Sequence, residues 1–228
     1  MIFFLAVAVA AAAAPTSCPD VVTPEAFVCR GLDASNSGKP EVAAAAFEQA
    51  ASATDDADPA KSRMLAAAGN MWITAGQPGK AALALDRALA GTGLQAEQRG
   101  EALLDRARAA EAQNDFKTAR ARLTEAAATI SEDPFLWYFS AALAIRENDK
   151  ATAQSAINRA LSLAPSDPTI LFEAGHVAHF VGNEARARLY WTQAAQFDAQ
   201  GPIGKAAREA LALLPAPVTQ KAPPAKSN

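Results

Sequence analysis

Neither sign of charge is in excess: 24 acidic against 21 basic residues leave a formal net charge of −3. Such a chain has no field to gather nucleic acid or anionic lipid, and no basic stripe interleaved with aromatics, so nucleic acid is not an expected partner. Long hydrophobic runs are scarce too. The apolar stretch Met1–Ala14, MIFFLAVAVAAAAA, falls short of the ~20 residues of a membrane-spanning helix, so no stable span is expected. Catalytic signatures are missing. There is no HExxH zinc sequence and no GxSxG nucleophile turn. Gly79-Lys80 lacks the earlier glycine of a phosphate loop and is followed by Ala81. Gly91-Thr92-Gly93-Leu94-Gln95-Ala96 imitates a dinucleotide pattern, but it lies between helical patterns with no strand before it. No cofactor is expected, and the chain reads as a non-enzyme.

What is present is alanine. Half of the residues are apolar while only 7% are aromatic, so small side chains must carry much of the packing. Alanine has the best helix propensity and lets helices approach closely, which points to short, tightly packed helices in one domain or a short repeat array.

Met1–Ala14 suits the apolar region of a secretory signal, with an Ala-x-Ala site near Ala12–Ala14, although Lys and Arg are missing before it. A periplasmic or secreted location follows. The two cysteines, Cys18 and Cys29, come just after this segment, and in an exported chain they suggest one disulfide joining an N-terminal arm (residues 15–23) to the first helix. Two free thiols are the alternative. A lipid anchor on Cys18 is disfavoured, because Pro15-Thr16-Ser17 departs from the Leu-small-small tripeptide that precedes a modified cysteine in bacterial lipoproteins.

Internal periodicity is the strongest signal. Gly31, Gly69, Ala107, Ala141 and Gly175 are small residues within helical patterns, spaced 38, 38, 34 and 34 residues apart. Twelve residues after each comes alanine: Ala43, Ala81, Ala119, Ala153 and Ala187. Four further on stands a large apolar residue, Phe47, Leu85, Leu123, Ile157 or Trp191, and three beyond it alanine returns at Ala50, Ala88, Ala126, Ala160 and Ala194. Asn114-Asp115, Asn148-Asp149 and Gly182-Asn183 mark turns whose polar side chains can cap the following helix. Pro24, Pro134 and Pro168 open first helices. The longer steps place extra residues in the links Thr54–Lys61 and Gly91–Gln98.

This pattern resembles the tetratricopeptide repeat (TPR) over residues 24 to about 201. The last copies carry it most fully, as Trp137, Ala141, Ala153, Ile157, Ala160, Pro165 and then Leu171, Gly175, Ala187, Trp191, Ala194. The second copy has Leu65, Gly69, Trp72, Ala81, Leu85 and Ala88, whereas Arg30 and Arg106 replace the family's leucine in the first and third. The resemblance implies an all-α, right-handed helical solenoid of about five helix-turn-helix repeats over residues 24–214, with eleven main helices. Pro202–Leu214 forms the C-terminal cap, Ile203, Ala207, Leu211 and Leu214 facing inward. Residues 215–228, rich in Pro and Lys, read as a disordered tail.

The resemblance also implies a protein or peptide partner held on the concave face of the first helices. The candidate groove residues are Asn70, Arg108, Phe135, Tyr138, Arg146, Phe172, His176, His179 and Phe180, polar toward the N-terminal half and aromatic toward the C-terminal half. Phe172 and Phe180 could instead pack beneath the cap. The carboxylate clamp of eukaryotic co-chaperones of this fold is not expected: Asn70 matches one place, but Ala66 replaces the lysine, and Glu101 and Asp105 stand where basic residues are wanted. The expected function is a periplasmic or cell-envelope interaction scaffold. Two alternatives stay open: a metal protein or enzyme built on Glu173, His176 and His179, and a passive subunit of an envelope assembly.

Overall fold

Proline at the start of a helix and a left-handed residue at its end set the rhythm of this chain. Six helices have proline in their first two positions, where the missing N–H would be unbonded anyway. Left-handed backbone occurs at Gly38, Gly76, Asn114, Asn148 and Gly182, each seven residues after one of the small residues of the repeat. Each reverses the chain between the helices of a pair, and glycine or asparagine tolerates the positive φ that the reversal needs. The next residue is the N-cap of the following helix. Asp115, Asp149 and Asn183 accept backbone N–H bonds from Thr118, Ala151 with Thr152, and Arg186. The Asp115 and Asp149 carboxyls are held below the ordinary aspartate value, first by side-chain hydrogen bonding to Thr118 and Thr152 and then by these backbone bonds.

The computed structural model describes residues 18–215, so the expected leader (1–14), residues 15–17 of the arm and all but the first residue of the tail lie outside the described residues. Eleven helices and no strand occur among the described residues, in two compact units that divide between Leu94 and Gln95, within the link expected at Gly91–Gln98. The first unit holds α1 (Pro24–Asn36), α2 (Pro40–Ser52), α3 (Ala60–Thr74) and α4 (Pro78–Ala90). The second holds α5 (Ala96–Ala112), α6 (Phe116–Ala126), α7 (Pro134–Arg146), α8 (Lys150–Leu163), α9 (Pro168–Phe180), α10 (Glu184–Phe197) and α11 (Pro202–Leu213).

Within each unit, consecutive helices pack as hairpins, the small residue of the first helix receiving the large one of the second. A Cβ added at Gly31 would lie 2.8 Å from Phe47 Cε1. At Gly69 it would collide with Leu85, and at Gly175 with the Trp191 indole. Ala107 with Leu123 and Ala141 with Ile157 continue the pairing of small with large, and all four are at least 97% buried. The spacing of sixteen residues found in the sequence is therefore a packing relation.

In the first unit, Cys18 and Cys29 are joined by a disulfide. Arg30, the departure from the repeat's leucine, donates from its guanidinium to the carbonyls of Pro19 (3.3 Å) and Val21 (3.0 Å) while covering the Phe27 ring. The substitution thus fastens the arm rather than filling the core. In the second unit, α11 packs on α10 and α9 with Ala207 buried and Ala210, Leu211 and Leu214 against the Leu171–Trp191 cluster. Its start is capped by Asp198, whose Oδ2 accepts from the N–H groups of Ile203 and Gly204.

Candidate functional site

The helices of the second unit present all the candidate groove residues but Asn70, and the structure sorts them by depth. Phe135 is the most open of the candidate phenylalanines, 46% exposed, and meets Tyr138 edge to face at 6.3 Å. Tyr138 is half-buried. Burial raises its phenol above the ordinary value, the Glu173 carboxylate adds to the rise and Arg108 opposes it. That ordering places groups from α5, α7 and α9 in one electrostatic neighbourhood.

Arg108 and Arg146 are committed within the unit. Arg108 pairs with Asp105 at 3.1 Å. Arg146 reaches from α7 to Glu111 on α5 at 2.7 Å, donates to Asn114 Oδ1 and lies over the Phe116 ring. Asn70 belongs to α3 of the first unit, partly buried, its carbonyl accepting from the Thr74 hydroxyl.

Between α7 and α9 lies an open pocket of about 570 Å³, lined by Ala142 and Ile145 on one side and by Glu173, His176, His179 and Phe180 on the other. Its two walls come from successive first helices. Alanine at position 142 leaves the space, and Ile145 and Phe180 make the walls apolar. Phe180 rests on the core cluster beneath α7–α9 and offers its ring to the pocket. Phe172 divides from it. Its side chain packs into the cluster covered by α11, its ring lies 4.4 Å from that of His176, and its carbonyl accepts the Trp191 indole N–H at 3.0 Å. Phe172 is thus tied to the capped core, and Phe180 to the pocket.

The stripe of Glu173, His176 and His179 does not converge on one point. Six residues of α-helix leave the first and third side chains ~120° apart around the axis. His176 Nδ1 lies 3.3 Å from Glu173 Oε2, whereas His179 Nδ1 turns to the Glu184 carboxylate at the start of α10, 2.9 Å away. Among the described residues, no group of three or more His, Cys, Asp or Glu side chains is arranged to hold a metal ion. Both imidazoles stand against Trp191, with ring centroids 5.5 and 6.0 Å from it. Spacing offered Glu173 only as a member of the histidine stripe and did not reveal its depth: its side chain is only 10% exposed, and it supplies the one carboxylate of the pocket lining. The signal available was a lone acid in an otherwise apolar helix, Pro168–Phe180.

A second cavity of about 500 Å³ lies where the start of α5 meets the α6–α7 connection, lined by Glu97, Glu101, Glu132 and Asp133 among others. Desolvation raises the Glu101 carboxyl above its ordinary value, and the charges of Glu97, Asp105 and Asp133 push it the same way.

Comparison with known proteins returns fold similarity. No protein-family model matches the sequence. No curated protein matches it either. Among solved structures, MamA superposes with a TM-score of 0.61 at 19% identity, covering 84% of this chain and 98% of that one. PilW, described as a widely conserved type IV pilus biogenesis factor, gives 0.68 at 18% identity over 80% of this chain and 81% of its own. YrrB, described as a TPR protein with an unusual peptide-binding site, gives 0.58 at 16% identity, covering 81% and 91%. The chain has the tetratricopeptide-repeat fold, with neighbouring helix pairs packed in succession within each unit.

Proposed function

We propose that this tetratricopeptide-repeat chain is a non-enzymatic interaction scaffold of the cell envelope, holding a peptide or protein segment on the first-helix face of its second unit. The observation that carries the reading is the α7–α9 pocket, an open, mostly apolar recess with a buried carboxylate and two imidazoles at its edge. Recesses of this size and make-up suit an anchoring side chain, with aromatic walls burying large area at small entropic cost. The likeness to YrrB, which is described as having a peptide-binding site, is consistent with this mode.

A photo-crosslinking residue at position 179, on the pocket rim, should capture a partner of defined mass. The same residue at position 189 on α10, where Leu189 is 53% exposed, should not. Capture from position 189 with none from 179 would instead assign the second-helix surface, and a passive assembly role, to the chain.

The envelope location is supported by the apolar leader and by the Cys18–Cys29 disulfide, a bond that persists in oxidising compartments. Protein isolated from its native host is expected to begin between residues 13 and 18 and to contain no alkylatable thiol before reduction. Mass spectrometry decides this, and an intact Met1 or two free thiols would refute the location.

A further inference from the structure

We infer that the α7–α9 pocket anchors a lysine or arginine side chain of the bound segment, with Glu173 receiving its charge. This rests on the peptide-binding reading above and names the chemistry of the occupant. Glu173 is held by α9 with nine-tenths of its side chain buried, yet it lines the pocket. His176 meets Oε2, and among the described residues no donor is bonded to Oε1. A carboxylate taken this far out of water is stabilised by a cationic donor far more than by any neutral one.

The surrounding groups discriminate between occupants. An acidic side chain entering the pocket would meet the Glu173 carboxylate, and the two imidazoles of the lining already face Glu173 and Glu184. A purely apolar anchor would fill the space between Ile145 and Phe180 but strand the carboxylate beneath it. A long basic side chain satisfies both parts, its methylene stem lying against Ala142, Ile145 and Phe180 while its head reaches the acid. The Phe180 ring already accepts a cation within this chain, with Lys150 Nζ 5.6 Å from its centroid. The basic residues of the neighbouring first helices do not neutralise the site, since Arg108 is held by Asp105 and Arg146 by Glu111. The α5 end of the same unit gathers Glu97, Glu101, Glu132 and Asp133, so carboxylates also dominate the unit's second cavity.

The test is selection of a random dodecapeptide display library on the full-length protein, followed by titration of synthetic copies of the selected peptides. Peptides that compete with one another at the pocket are expected to share a lysine or arginine. Replacing that residue by norleucine should weaken binding at least tenfold, and Glu173→Gln should weaken the parent peptide by a similar factor while leaving the norleucine peptide nearly unchanged. Selected peptides that bind the pocket without a basic residue, or equal affinity of the lysine and norleucine peptides, would overturn the cation inference and leave the groove reading standing. Peptides whose binding is untouched by Ile145→Asp would overturn both, because the pocket would not be the site. The norleucine comparison needs no protein variant, so it remains decisive if Glu173→Gln folds poorly.

Discussion

Replacing Gly175 by leucine should destabilise the second unit by about 3 kcal/mol, the combined effect of overpacking and a broken hydrogen bond. A Cβ at this position would collide with the Trp191 indole, nearest to Nε1, and Trp191 is only 4% exposed. The ring cannot simply retreat, because its N–H donates to the Phe172 carbonyl at 3.0 Å and both imidazoles lean on it. Moving it would leave a buried donor unbonded and disturb the pocket wall at the same time. Chemical denaturation measures the loss. Two comparisons sharpen it. Gly79→Ala, on α4 with nothing within 4 Å of an added Cβ, should be neutral or slightly stabilising, since helical alanine is favoured over glycine. Gly175→Ala combined with Trp191→Leu should be less damaging than the sum of the two single changes, as expected for residues that share one space. A leucine at 175 that leaves stability within about 0.5 kcal/mol, the range of an ordinary surface change, would refute the assigned pairing of positions 175 and 191.

Truncating Leu85 to alanine should cost about 3 kcal/mol in the first unit, by cavity formation without an offsetting collapse. Leu85 has no exposed surface and lies against Gly69, which has no side chain to swing into the space. The flanking residues Ala81, Ala84 and Ala88 are themselves buried and too short to fill it. The same geometry predicts a change of sign: Gly69→Ala should be damaging in the native background, because its Cβ would strike Leu85, and harmless or stabilising once Leu85 is truncated. Thermal and denaturant unfolding of the four proteins in this cycle is the measurement. If Gly69→Ala has the same effect in both backgrounds, the two side chains do not share the space ascribed to them.

Both results concern a relation that was legible as spacing. Small residues recurring at 31, 69, 107, 141 and 175, with large ones sixteen positions later, specify helix hairpins because one small residue per pair must receive one large residue. The turns were only partly read. Asn114, Asn148 and Gly182 stood out beside capping residues, while Gly38 and Gly76, at the same phase, precede Lys39 and Gln77, which make no side-chain cap bond. The left-handed backbone, rather than the cap, is what all five turns share. The departures from the repeat were legible as departures but not as functions: Arg30 gains its role only when the arm lies beside α1 and offers the carbonyls of Pro19 and Val21.

Local order was therefore determined by the sequence alone, since helix starts, left-handed turns and the alternation of small and large residues are encoded within some twenty neighbouring positions. The fate of individual side chains on α9 was decided only by tertiary structure. Phe172 and Phe180 look equivalent as aromatics eight residues apart, yet α11 and Trp191 take one into the capped core while the other faces the pocket left open by Ala142. His176 and His179 look like a pair, yet one meets Glu173 and the other Glu184. Glu173 reads as one member of a polar stripe with His176 and His179 until α7 packs beside α9 and removes it from water. Burial depends on which other helices approach, and a periodicity confined to one repeat carries no record of that.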